Sequence, residues 1–190
     1  MKKVEIKSKG YLLDDFFKVE EANLRYERYD GEMSEEVRRL NFERGDGVAA
    51  ILFNRDSRRV ILIEQFRYST YEKGPGWVVE AIAGMLEEGE DPEEAMRREL
   101  LEEVGYQADQ LRHISTFYVS PGGTSERIFL YYAEVGNAAL IDRGGGLAHE
   151  SEDIQAIEFS LPELWTALDA GRIVDAKTII GLMWLRRNEP

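Results

Sequence analysis

Apolar positions in this chain come in short blocks that change rhythm along its length. VAAILFN (48–54) and RRVILIEQF (58–66) are β-branched-rich runs joined by the polar turn Arg55-Asp56-Ser57, and they read as two strands. STYEKGPG (69–76) reads as a loop, and WVVEAIAG (77–84) after it as one short strand. Further strands are predicted near 113–119, 127–135 and 154–160, with SPGGTSE as the loop between the first two. Helices are predicted at about 92–104, 162–170 and 175–187, with Gly171 separating the last two. Residues 136–152 are Gly-rich and polar, a long loop of the kind that carries function.

Ahead of these blocks, residues 15–29 show the partial alternation of a long strand, and Asp30-Gly31 is a turn signal. Residues 33–43 then return as a second strand, with a helix over 34–42 as the competing reading. The expected organisation is an antiparallel β domain over 1–44 and an α/β (α+β) layered domain with a mixed sheet over 45–190.

Composition narrows the function. Asp plus Glu is 37 against 24 Lys plus Arg, a formal charge of −13, which argues against nonspecific nucleic-acid binding. The same excess suits a protein that holds divalent cations. The absence of cysteine excludes disulfides, thiolate metal sites and a cysteine nucleophile. MKKVEIKSKG lacks the apolar stretch of a signal peptide, and no window approaches the ~20 apolar residues of a membrane span. A cytoplasmic location is therefore expected. Two histidines, His113 and His149, are too few for a histidine-rich metal site.

The strongest local signal is GMLEEGEDPEEAMRRELLEEVGY (84–106). Asp91 suits a helix cap, Pro92 the first helical position, Glu94 the capping-box position, and Gly105 a left-handed terminator. Met96, Leu100 and Val104 form an apolar stripe, while Glu99, Glu102 and Glu103 share a neighbouring face. Like charges on one face repel by a few tenths of a kcal/mol per pair. Hard cations such as Mg²⁺ and Mn²⁺ prefer carboxylate oxygens and would remove that repulsion. A lone glutamate triplet would be better explained as a solvated acidic face; the longer spacing decides otherwise.

That spacing resembles the Nudix box, G-x5-E-x7-R-E-U-x-E-E-x-G-U with U a bulky aliphatic residue. Gly84, Glu90, Arg98, Glu99, Leu100, Glu102, Glu103 and Gly105 fall in register; only Tyr106 departs, replacing an aliphatic. The resemblance implies a Nudix α/β/α sandwich and a metal-dependent hydrolase. It makes Glu99 and Glu103 the main metal ligands, with Glu102 and the Ala83 carbonyl as further ones. It makes Glu90 a support for the loop or an outer ligand and Arg98 an ion-pair partner. Two or three Mg²⁺ ions per site are expected, with Mn²⁺ as a substitute.

The likeness extends over roughly residues 11–187 and is greatest to the bacterial ADP-ribose pyrophosphatase branch. MSEEVRRLNFERG (33–45), VILIEQFRYSTY (60–71), SPGGTSER (120–127) and GLAHESEDI (146–154) carry it. It implies substrate contacts from Phe16, Arg39, Arg44, Arg67 and Glu126, and a loop base at Glu150 with Glu152 as helper or metal ligand. It also implies a homodimer in which the N-terminal β domain is exchanged. Gly144-Gly145-Gly146 and Asp175-Ala176-Lys177-Thr178 lean instead toward a sister group that acts on GDP-mannose.

Overall fold

All eight residues of strand β4 (Gly47–Asn54) are buried, because its two faces serve two different cores. Val48, Ala50 and Leu52 enter one apolar cluster, and Ala49, Ile51 and Phe53 enter the other. The period-2 alternation of a strand thus places a helical layer on each side of the sheet. The first cluster takes Ala95, Met96, Leu100 and Val104 from helix α2 (Pro92–Val104), which includes the whole predicted apolar stripe. The second takes Leu164 and Ala167 from α3 (Leu161–Asp169), and Leu182 and Leu185 from α4 (Ala176–Arg187).

This computed structural model describes residues 1–147 and 152–188. The chain divides into two units, residues 1–46 with 118–127, and residues 47–117 with 128–190. The larger unit is built on a seven-stranded mixed sheet. Its main path runs β10 (Gln155–Ser160), β5 (Arg59–Phe66), β4, β9 (Arg127–Val135) and β8 (Leu111–Tyr118). β4 and β9 are parallel, whereas β4–β5 and β5–β10 are antiparallel. The expected layered α/β architecture is what the chain adopts.

One predicted strand proves to be two. WVVEAIAG divides into β6 (Trp77–Glu80), which pairs with β5, and β7 (Ile82–Met85), which pairs with β4. The break is Ala81, whose N–H donates to Thr178 Oγ1 at 2.6 Å instead of to a strand. A single helical turn, α1 (Tyr68–Tyr71), also occupies the start of the predicted loop.

The smaller unit is a three-stranded antiparallel sheet of β1 (Val4–Asp14), β2 (Lys18–Tyr26) and β3 (Val37–Glu43). The return strand is β3, so the helical reading of 34–42 is set aside. β1 was not foreseen, because no residue in it is buried and its sequence carries no core alternation. The segment 118–127 joins this unit through Phe42 N–H, which donates to the Gly123 carbonyl at 2.8 Å.

Candidate active site

Helix α2 begins at Asp91 and ends at Gly105 as expected, but the Glu94 carboxylate closes no capping box and accepts from Arg97 Nη1 at 2.9 Å instead. The Asp91 carboxylate accepts from Glu93 N–H at 2.9 Å and Glu94 N–H at 3.3 Å, with Pro92 in the first turn. At the other end Gly105 takes φ 73°, and the Tyr106 N–H reaches back to the Leu100 carbonyl at 3.1 Å. Tyr106 is buried, and its hydroxyl accepts from Asn54 Nδ2 at 3.4 Å, so the larger residue is packed inside the core.

Two of the three helix glutamates are buried. Glu99 is 9 % exposed and Glu103 only 2 %, while Glu102 stays half-buried. Burial lifts the Glu99 carboxyl to about 7; the Glu102 and Glu152 charges add to the rise and Arg98 opposes it. Burial lifts Glu103 further, to about 9, against the Ala83 N–H that donates to its Oε2 at 3.0 Å. The neighbouring charges of Glu99, Glu152 and Glu80 push in the same upward direction. Gly84, the first position of the spacing motif, has a steric role: a Cβ there would overlap the Glu99 carboxylate.

Arg98 ties the motif together. Its Nε and Nη2 each donate to the Glu90 carboxylate at 3.1 Å, and its Nη2 also reaches the Met85 carbonyl at 3.2 Å. Its Nη1 donates to Glu99 Oε1 at 2.7 Å and Glu102 Oε2 at 3.1 Å. The guanidinium is thereby held firmly charged, chiefly by Glu90, and Glu90 is held below the usual carboxylate range by Arg98.

The Gly-rich loop is fastened to the end of α2. Gly145 N–H donates to the Glu103 carbonyl at 2.8 Å and Gly146 N–H to the Glu102 carbonyl at 3.0 Å. These are carbonyls that a helix end leaves unpaired. Gly144, Gly145 and Gly146 all have positive φ, and a Cβ on Gly144 would sit 2.6 Å from the Glu103 carbonyl oxygen. Downstream, the Glu152 carboxylate accepts from Leu147 N–H at 3.0 Å. The tether was missed in the sequence, although three consecutive glycines were its signal. Glu150, read as the loop base, lies outside the described residues.

Arg67, at the end of β5, donates from Nε to Glu80 Oε1 at 2.7 Å and keeps its side chain 40 % exposed. Glu80 is almost wholly buried, and its other oxygen is taken by Lys177. Glu80 was not singled out from the sequence, and Lys177 only as part of Asp175-Ala176-Lys177-Thr178, with no pairing to Arg67 or Glu80 foreseen.

Phe16, Arg39, Arg44 and Glu126 belong to the smaller unit. There Arg44 Nε lies 3.6 Å from Glu126 Oε1, and the Arg44 guanidinium stands over the Phe17 ring, 5.5 Å from its centroid. Phe16 is fully open to solvent against Phe17, at 4.7 Å between ring centroids. Arg39 is also exposed, its Nη1 donating to the Arg38 carbonyl at 3.0 Å. The structure thus joins Arg44 to Glu126, and separately buries Glu99 and Glu103 on α2, where the Glu152 charge is felt.

These carboxylates fit a divalent cation in their chemistry. Hard oxygen donors are concentrated at one helix face, and among the described residues no basic side chain contacts Glu103. They do not stand as a finished cage: no three His, Cys, Asp or Glu side chains among the described residues converge closely enough. The reason is visible in the contacts, since Arg98 holds Glu99 and Glu102 while Glu103 turns to Ala83 N–H.

A mixed sheet between helical layers, with a glutamate-bearing helix following the strand that holds Gly84, defines a protein class. The chain belongs to the NUDIX family: the NUDIX domain matches residues 43–180. It is 38% identical over 184 residues to an ADP-ribose pyrophosphatase of Escherichia coli (strain K12), covering 96% of this chain and 88% of that one. It is 36% identical over 185 residues to a GDP-mannose pyrophosphatase of Cronobacter sakazakii (strain ATCC BAA-894), covering 96% and 95%. Among solved structures it resembles one described as an ADP compounds hydrolase, with a TM-score of 0.74 over 98% of this chain and 96% of the other. At 20% identity that likeness concerns the fold.

Proposed function

We propose that the protein is a nucleoside diphosphate-sugar pyrophosphatase that hydrolyses ADP-ribose to AMP and ribose 5-phosphate with Mg²⁺. The observation that carries the reading is the pair Glu99 and Glu103, buried carboxylates whose ionisation is suppressed by desolvation and like charge. A purely structural helix gains nothing from burying two acids there, whereas displacing their protons by a cation relieves the cost. Glu99, Glu102, Glu103 and the Ala83 carbonyl would hold Mg²⁺, or Mn²⁺ in its place. The bound ions would neutralise the diphosphate and lower the pKa of a water.

The chain's own groups supply the rest. Water adds at one phosphorus, the bridging P–O bond breaks, and the bridging oxygen leaves with the other phosphate. Glu150 takes the water proton, with Glu152 as its helper. Arg67 offers its guanidinium to the diphosphate. Phe16 stacks on the base, Arg39 and Arg44 add positive charge, and Glu126 orients the terminal sugar. The last four reach a site in the homodimer formed by exchange of the smaller unit. Support for a dimer is the exposure of Val4, Ile6, Leu12, Leu13, Phe16 and Leu40, apolar side chains of the smaller unit left open to solvent.

GDP-mannose, or a broad range of nucleoside diphosphate sugars, is the second reading, favoured by the near-equal identity to the GDP-mannose pyrophosphatase. A panel of ADP-ribose, GDP-mannose, ADP-glucose and a capped dinucleotide with Mg²⁺, products identified, separates the two. AMP and ribose 5-phosphate as the best reaction supports the proposal. A preference for GDP-mannose of about tenfold in kcat/KM, about 1.4 kcal/mol, replaces it with the alternative. Light scattering on the eluting protein tests the dimer; a monomer mass overturns it.

A further inference from the structure

Glu80 is a buried carboxylate with one cation on each oxygen. Arg67 Nε holds Oε1 at 2.7 Å, and Lys177 Nζ holds Oε2. Lys177 is itself fixed, because its ammonium also contacts Asp175 Oδ1 at 3.0 Å. Asp175 caps α4 through Thr178 N–H at 2.9 Å, and the Thr178 hydroxyl accepts the Ala81 N–H that separates β6 from β7. The start of α4 and the strand break next to Glu80 are therefore one bonded unit, and Arg67 is its outermost member.

The division of the two Glu80 oxygens has a geometric result. A carboxylate free on both oxygens pairs with arginine side by side, through two N–H groups. With Lys177 on Oε2, Glu80 engages Arg67 through Nε, and the Arg67 Nη atoms form no hydrogen bond to any described residue. Two parallel donors are left on an exposed edge, the pattern that matches two phosphate oxygens. The Glu80 charge is felt at Glu103, the smallest of the influences that raise its carboxyl.

We propose that Lys177 is a positioning residue: by occupying Glu80 Oε2 it keeps Glu80 from drawing in an Arg67 Nη, and so presents the guanidinium fork to the substrate diphosphate. The proposal rests on the reading that Arg67 binds the diphosphate. In this role Lys177 acts through Glu80 and Arg67.

The test is a double-mutant cycle on KM for ADP-ribose with Mg²⁺, using Lys177→Met, Arg67→Ala and the double variant, with folding checked by circular dichroism. Lys177→Met should raise KM roughly fivefold or more with kcat within about twofold, the pattern of lost ground-state binding. Lys177→Arg should restore KM to within about twofold. In the Arg67→Ala background Lys177→Met should change KM less than about twofold, because its route is already removed. The same rise in both backgrounds overturns the proposal. Arg67→Ala with unchanged KM removes the Arg67 reading itself, which is a separate failure. Should Lys177→Met not fold, Lys177→Leu replaces it: it also leaves Glu80 Oε2 without its cation, and it should raise KM in the wild-type background and be silent in Arg67→Ala.

Discussion

Replacing Glu103 by Gln should make the metal-free protein more stable at neutral pH while removing its activity. Glu103 is 2 % exposed, and its carboxyl is pushed from the ordinary 4.5 up to about 9. Between those values the unfolded chain carries it ionised and the folded chain carries it protonated. The folded state then binds more protons, so stability is complete below the unfolded value and declines as pH rises toward the folded value. Across this window the loss is about 1.4 kcal/mol per pH unit, whatever the upper limit is in detail. Taking about pH 5.5 and about pH 7.5, both inside the window, gives a loss of about 3 kcal/mol that glutamine cannot show. Glutamine keeps the shape and an oxygen to accept the Ala83 N–H. Guanidinium denaturation with a chelator present, for both proteins at both pH values, reads the difference directly. The variant's lead over the wild type should grow by about 3 kcal/mol between about pH 5.5 and about pH 7.5, or roughly 6–12 °C in Tm. Mg²⁺ added at the higher pH should stabilise the wild type more than the variant. Parallel pH profiles for the two proteins would refute the claim that Glu103 is a destabilised acid awaiting a cation.

Other expectations follow from single contacts. Gly84→Ala puts a Cβ into the Glu99 carboxylate, so kcat should fall at least about tenfold with secondary structure retained by circular dichroism; an active variant would show that the position of Glu99 is immaterial. Asp91→Ala leaves Glu93 and Glu94 N–H without their acceptor and should cost about 1 kcal/mol in chemical denaturation, with kcat unchanged. Gly144→Ala meets both a positive φ of 63° and the Glu103 carbonyl. It should cost about 1–3 kcal/mol and speed amide exchange at Gly145 and Gly146.

Part of this molecule is legible in its sequence. The limits of α2 follow from Asp91, Pro92 and Gly105, because caps are made by residues adjacent in the chain. The shared face of Glu99 and Glu103 follows from their separation by four residues, and the central strands from runs such as VAAILFN. The NUDIX assignment rests on the same short-range spacing. What the sequence does not contain is which members of a face are covered. Glu103 is buried and Glu102 half-exposed, though both are glutamates one position apart; the sheet lies against one side of the helix only. The division of WVVEAIAG required a Thr178 hydroxyl from 97 residues away, and the glycine loop found its purpose only against the last carbonyls of α2. The Arg67–Glu80–Lys177 array is likewise made across β5, β6 and α4. Local spacing sets which groups can act together, since backbone geometry repeats over a few residues. Desolvation and long-range pairing set their charge and aim, and these exist only once distant segments have packed.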